Sequence, residues 1–310
     1  MTNDNLTGDV RPNAGDGAAD DGTLSLPLSK TPLFEATHAE RYLRQQVIKS
    51  IQQDIGSPLI CYVGGNGTSV VRDDVLPFED LLCRLTPGSD LHLLLHTSGG
   101  DIDAAEKLIS MIRTVVKTGK LHVVVPDFAK SAGTLMALGA NSIVMSDTSE
   151  LGLIDPQIDL HDANGNIIRH SVQNYLDAYQ THSAALRDNP NDVAARIMFE
   201  KLDPSTVKYF EAIRDRSRKF AEGQLQRGMQ IHDRYTAIAE ELLNTTKWQH
   251  HGKMIAADDA RQMGINVDYL APSSPRWRAY WRLYCLQRLA IKDGEKLFES
   301  DYVSMTIQSR

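Results

Sequence analysis

The chain has 310 residues, 42% of them hydrophobic and 24% charged, enough for one large α/β domain or two small ones. A formal net charge of −7 argues against nucleic acid as the main partner, and no apolar stretch reaches the ~18 residues of a membrane span. Cys61, Cys83 and Cys285 are odd in number, far apart and without a CxxC pair, which excludes a disulfide framework or zinc knuckle and fits a reducing, cytoplasmic setting.

Residues 1–30 are rich in Asp, Asn, Gly and Thr and lack the basic and apolar regions of a signal peptide, so they read as a disordered N-terminal tail. Residues 31–272 read as one domain with a helical insertion at about 171–245, and 273–310 as a C-terminal aromatic helix and tail. From Thr37 to Ile55 charged and apolar residues alternate at helical spacing, until Gly56-Ser57-Pro58 stops the helix before a strand, Leu59 to Val63. Gly64-Gly65-Asn66-Gly67 has neither the GK[ST] ending nor the GxGxxG spacing of a phosphate loop and reads as a flexible turn. Asp73 to Leu85 is amphipathic through Val75, Phe78, Leu81 and Leu82, and Pro87-Gly88 ends it.

Leu91 to His96 is a nearly continuous apolar run, the pattern of a buried parallel strand. Thr97-Ser98-Gly99-Gly100 follows it at the carboxyl edge, where open α/β sheets bind ligands. Asp101 to Val116 then repeats apolar residues at helical spacing. The unit recurs: Leu121 to Val125 is a strand, Pro126 to Lys130 a crossing loop, Ser131 to Ala140 a helix of small residues, and Asn141 to Met145 a further strand. Such successive units predict right-handed crossovers and a mostly parallel sheet.

Lys130-Ser131-Ala132-Gly133 thus opens a helix one unit after the glycine pair. Attack on a carbonyl needs a nucleophile at such a helix start and backbone N–H groups free to hold an oxyanion. The plainer reading of Ser131 is a helix N-cap.

Ser171 to Gly228 is mostly helical and heavily charged, broken at Asn189-Pro190-Asn191-Asp192. After Pro275, Arg276, Arg278, Arg282 and Arg288 are interleaved with Trp277, Tyr280, Trp281 and Leu283, the face of a helix docked on the core or on a neighbouring subunit. His250-His251 has no third partner at metal-ligand spacing and reads as part of a turn.

The stretches HTSGGDIDAAEKLISMIR and DFAKSAGTLMALGANSIVMSDTSELGLIDPQI resemble the Clp-fold serine peptidases, most closely the serine dehydrogenase proteinases, relatives of signal peptide peptidase A. The resemblance runs from about Thr37 to Leu270 and takes in WQHHGKMI followed by ARQMGI. It implies a ClpP/crotonase-like spiral of βαβ units with a mostly parallel sheet. It also implies a serine endopeptidase acting on protein or peptide substrates, a homo-oligomer stacked through its helical insertion, and no cofactor. Ser131 is implied as nucleophile, with the N–H groups of Gly100 and Ala132 as oxyanion donors.

Asp155 stands where Clp-type peptidases have a histidine, whereas relatives of signal peptide peptidase A use a lysine whose pKa is lowered by burial. Lys201, just before a long helix, is the first candidate for that lysine and Lys208 the second. Lys130 ranks below both, and His161, His170 and His182 are further candidates. Two other readings stand beside the peptidase: a catalytically degenerate Clp-fold scaffold or binding module, and a crotonase-like acyl-CoA enzyme with the thioester at Gly99-Gly100.

Overall fold

A computed structural model of the chain describes residues 31–161, 165–248 and 252–308. The chain divides into two compact units, Met1–His38 and Ala39–Arg310. In the first, α1 (Pro32–Thr37) begins where the Thr31 hydroxyl accepts from the Phe34 N–H, with proline at the first helical position. The expected tail, 1–30, lies outside the described residues.

The second unit starts with α2 (Ala39–Ile55) and β1 (Leu59–Gly64), then α3 (Val75–Leu82), β2 (Leu91–His96), α4 (Ile102–Val116) and β3 (Leu121–Val124). A two-residue strand β4 (Phe128–Ala129) leads into α5 (Ala132–Leu138), followed by β5 (Ser142–Met145) and the short β6 (Glu150–Leu151). A hairpin of β7 (Gln157–His161) and β8 (Ile167–Ser171) precedes α6 (Val172–Asp188), α7 (Val193–Glu200) and α8 (Pro204–Arg227). The chain continues through α9 (Tyr235–Leu243), α10 (Thr245–Trp248), α11 (Ala257–Met263) and β9 (Val267–Tyr269), and ends with α12 (Pro275–Leu289), β10 (Glu295–Glu299) and β11 (Ser304–Gln308).

Among the described residues the main sheet has seven strands in the order β11-β10-β1-β2-β3-β5-β9. β1, β2, β3, β5 and β9 run parallel, as the alternation of strand and helix predicts, while β10 pairs antiparallel with both β1 and β11. Side chains alternate across the strands and sort into two cores. One face carries Cys61, Val63, Leu94, Val124 and Leu297 against Ile48 and Ile51 of α2 and Trp277, Tyr280, Leu283 and Tyr284 of α12. The other carries Ile60, Tyr62, Leu93, Leu95, Val123 and Ile143 against α3, α4, α5 and α9. The protein is therefore an α/β sheet covered by helices on both faces. The apolar stripe of α4, from Ala104 to Val116, is the one its spacing predicts.

Two segments differ from their expected form. Residues at the C-terminal end, expected as a tail, make β10 and β11: Leu297 and Phe298 enter the two cores from opposite faces, and the flanking charges Lys296 and Glu299 are buried against Asp74 and Arg44. The helical insertion is preceded by the β7–β8 hairpin, paired from Gln157↔Ser171 to His161↔Ile167. α6 and α8 pack on each other through Val172, Leu176, Val207 and Phe210. No helix among the described residues is long and apolar enough to cross a membrane.

Candidate active site

Two strand-end turns meet at one place. Thr97 and Ala129 face each other in a parallel bridge, with the Thr97 N–H donating to Phe128 O (3.1 Å) and the Lys130 N–H to Thr97 O (3.0 Å). The turn after β2 is thereby tied to the turn that carries Ser131. On its other side the same turn is held by Thr68 and Val70. The Val70 N–H donates to Gly99 O (2.7 Å) and the Asp101 N–H to Val70 O (2.9 Å), while Ser98 Oγ donates to Thr68 O (2.7 Å).

The glycines are required by proximity. A Cβ on Gly99 (φ 100°) would lie 2.7 Å from both Ser131 Cβ and Lys130 O and 3.1 Å from the Ala132 nitrogen. One on Gly100 (φ 147°) would lie 2.4 Å from Val70 O and 2.5 Å from its nitrogen. Only glycine lets the two turns approach this closely. The N–H groups of Gly100 and Ala132 have no hydrogen-bond acceptor among the described residues, whereas the Gly99 N–H bonds to Thr97 Oγ1 at 3.1 Å.

Ser131 is half-buried and stands at φ 52°, ψ −118°, a conformation that a residue with a Cβ adopts only under strain. Its carbonyl accepts the first helical bond from the Leu135 N–H (3.1 Å), but its side chain makes no cap bond and no hydrogen bond to any described residue. The hydroxyl is therefore not engaged in the N-cap role. Beneath it the buried Thr134 hydroxyl donates to Ala129 O (2.8 Å) and accepts from the Gly152 N–H (3.0 Å), holding α5 against its preceding loop.

Gly99, Gly100, Ser131 and Ala132 open on a cavity of about 780 Å³. Its walls include Ser69, Leu135, Ile154, Gln157, Tyr209 and Arg216. Leu135, Ile154 and Gln157 belong to the same stretch as Ser131, whereas Ser69, Tyr209 and Arg216 come from segments remote from the motifs and carry no signal of their own in the sequence. Arg216 of α8 crosses to α4, pairing with Asp103 (2.5 Å) and Glu106 (2.6 Å); Arg169 of β8 pairs with Asp159 (2.7 Å) on the hairpin. Asp101 caps α4, accepting from the Asp103 N–H at 2.7 Å.

The candidate bases lie elsewhere. Lys201 is exposed at the C-terminal end of α7 and does not line the cavity. Lys208 is exposed and bonded to Glu211 (2.6 Å), which raises its pKa, the opposite of what a proton acceptor needs. The Lys130 ammonium turns to the Glu150 carboxylate and Leu151 O (3.0 Å). Asp155 is fully buried and accepts from Gln157 Nε2 (2.6 Å) and Ser171 Oγ (2.8 Å). His170 is exposed on β8 and His182 half-buried on α6; neither lines the cavity. The side chain of His161, and both His250 and His251, lie outside the described residues. Among the described residues lining the cavity there is no lysine or histidine, and among the described residues no group of three or more His, Cys, Asp and Glu side chains is placed to hold a metal ion.

The fold and site together define an α/β protein with a mostly parallel, helix-covered sheet and a strained serine set against a glycine pair at its carboxyl edge. Residues 79–193, the segment that holds Gly100, Ser131 and Ala132, match the model of the family described as ClpP-like SDH-type serine proteinases, in line with the resemblance read from the sequence. The match ends before Lys201 and Lys208. The chain is similar to uncharacterized protein MJ0137 of Methanocaldococcus jannaschii, 24% identical over 182 residues, 59% of this chain and 54% of that protein. It is also similar to uncharacterized protein MJ1495 of the same organism, 37% identical over 76 residues, 24% of this chain and 25% of that one. The chain thus spans about half or less of the length of these relatives. Of solved structures, ClpP1 from Listeria monocytogenes has a TM-score of 0.40 and 14% identity, covering 74% of this chain and 96% of its own. A mutant of the 1510-N membrane-bound stomatin-specific protease in complex with a substrate peptide has a TM-score of 0.35 and 16% identity, covering 69% and 93%.

Proposed function

We propose that the protein is a serine peptidase whose nucleophile is Ser131. The observation that carries this reading is Ser131 itself: a serine held at positive φ, with its hydroxyl unengaged, facing a cavity beside two glycines. Strain of this kind persists only where the surroundings over-determine it, and it presents the Oγ at the tip of a sharp strand-to-helix turn. Attack of Ser131 Oγ on a peptide carbonyl develops charge on the carbonyl oxygen. The unpaired N–H groups of Gly100 and Ala132 are the donors proposed to receive it, each contributing ~10²-fold or more in rate. A cavity of about 780 Å³ accommodates a short peptide segment, so the proposed substrates are peptides or unfolded protein.

The proton acceptor is proposed to be Lys201. From its exposed site it would serve Ser131 only after the α6–α8 layer closes on the cavity or from a second copy of the chain; the proposed working form, a homo-oligomer in the cytoplasm, rests on the family resemblance and the lack of a cysteine framework. Hydrolysis of an unfolded protein substrate tests the reading. Wild type is expected to cleave, Ser131→Ala to be inactive with unchanged circular dichroism, and Lys201→Ala to lose activity while keeping its fold. An active Ser131→Ala variant overturns the assignment; a fully active Lys201→Ala variant overturns the base alone.

A second reading has its own observation, the lack of any lysine or histidine among the described cavity residues. It makes the protein a Clp-fold binding scaffold, and predicts peptide binding in the cavity with no turnover by wild type.

A further inference from the structure

His96 ends β2 immediately before the Thr97-Ser98-Gly99-Gly100 turn, and Asp127 stands four residues before Ser131. Both side chains meet the same group, the Tyr284 hydroxyl of α12, on the sheet face opposite α5. The hydroxyl donates to Asp127 Oδ2 at 2.7 Å and accepts from whichever ring nitrogen of His96 carries the N–H, Nδ1 lying 3.3 Å and Nε2 3.4 Å away. His96 is 2% exposed and packs on Phe128, ring centroids 4.1 Å apart, and on the Tyr284 ring at 5.0 Å. Burial lowers its pKa to about 3, so the imidazole is neutral and carries a single N–H, the donor available to the hydroxyl. His96 and Asp127 are themselves 3.8 Å apart; the hydroxyl is what bridges them. α12 reaches the same edge of the sheet once more, where Arg288 Nη1 donates to Gly64 O at 2.7 Å.

We propose that Tyr284 is a positioning residue: its hydroxyl clasps the oxyanion turn to the nucleophile turn and keeps the Gly100 and Ala132 N–H groups in register with Ser131. The proposal rests on the serine-peptidase reading of the site. Backbone bonds between Thr97, Phe128 and Lys130 join the two turns at one level. The clasp is a second point of attachment, offset to the α12 side, and two separated attachments resist a relative tilt of the turns better than one. A displacement of 1 Å in such a constellation costs ~10²-fold, so partial loosening has an effect that can be measured. Tyr284 lies outside residues 79–193, so a C-terminal helix outside the matched segment supports the site within it.

Tyr284→Phe keeps the ring and removes only the hydroxyl. With a fluorophosphonate probe, the expected result is a labelling rate at saturating probe lowered about tenfold, with the half-saturating probe concentration unchanged. Asp127→Ala is expected to give the same loss, and the double variant to be no slower than either single one. A purely structural role would lower the melting temperature without this split between rate and probe affinity. Hydrogen exchange is measured alongside: amides of residues 97–101 and 128–132 are expected to exchange about tenfold faster in Tyr284→Phe, with the distant β9 and α11 unchanged. Unchanged exchange in both turns, or additive losses in the double variant, overturns the clasp. Should wild type not be labelled at Ser131, the peptidase reading falls and the exchange measurement alone decides the clasp.

Discussion

Comparing Ser131→Gly with Ser131→Ala isolates the strain at the candidate nucleophile. Both variants remove the hydroxyl, which makes no hydrogen bond to any described residue, so Ser131→Ala is expected to be neutral within ~0.5 kcal/mol. They differ in the Cβ, which at φ 52°, ψ −118° costs ~1–3 kcal/mol and is absent from glycine. Against that gain, glycine loses ~0.5–1 kcal/mol more backbone freedom on folding than alanine. At the middle of both ranges the balance favours Ser131→Gly by ~1 kcal/mol, a rise of a few degrees in melting temperature. Urea unfolding of the two variants side by side measures the difference. An alanine variant equal to or more stable than the glycine variant would refute the strained conformation, and with it the main support for Ser131 as nucleophile.

Gly100→Ala would drive a Cβ into the Val70 backbone, so the Gly100 N–H must shift; peptide cleavage is expected to fall ~10²-fold or more, and an alanine variant of wild-type rate would contradict the oxyanion assignment. His96 has a folded pKa of about 3 against 6.5 for the ordinary side chain. Above pH 6.5 both states are neutral and the stability is complete; below it the unfolded chain takes a proton that the folded chain refuses until about pH 3. Stability therefore falls by ~1.4 kcal/mol per pH unit as pH drops through that window. Between pH 7 and 5 the loss in urea unfolding should be ~2 kcal/mol smaller in His96→Gln, and an equal loss would contradict the buried neutral imidazole. Lys296 and Asp74 form an ion pair 1% and 2% exposed, with Lys296 also donating to Ser69 O (3.1 Å) and Tyr62 to Asp74 (3.1 Å). Lys296→Met should cost ~3–5 kcal/mol by leaving the buried Asp74 carboxylate without its cation, and adding Asp74→Asn should recover part of it; a double variant no more stable than the single would count against a charged pair.

The parts of the fold legible in the sequence were those governed by local pattern. The apolar runs of β1, β2 and β3 and the stripe of α4 are buried where periodicity predicts, because continuous burial leaves a continuous apolar signature. β10 and β11 were not legible: five residues each, with Lys296 and Glu299 buried by distant Asp74 and Arg44, they look polar until their partners are known. The β7–β8 hairpin did have a signal, the Asn164-Gly165 turn dipeptide between two short runs. At the site, the glycine pair and Ser131 stood out by spacing, but the backbone conformation separating a nucleophile turn from a cap is invisible in residue types. The sequence sets Lys201 just ahead of a helix, and nothing in that position encodes where the side chain points. Tyr284 could not be recognised because its partners lie 157 and 188 residues away along the chain.

The proposed chemistry stands or falls with the Ser131 hydroxyl as an activated nucleophile. The decisive measurement is reaction of the whole chain with a fluorophosphonate probe, followed by mass-spectrometric mapping of the adduct. One adduct is expected, on Ser131, and it is lost in Ser131→Ala. No adduct on the folded wild-type protein, or an adduct that persists in Ser131→Ala, would contradict it.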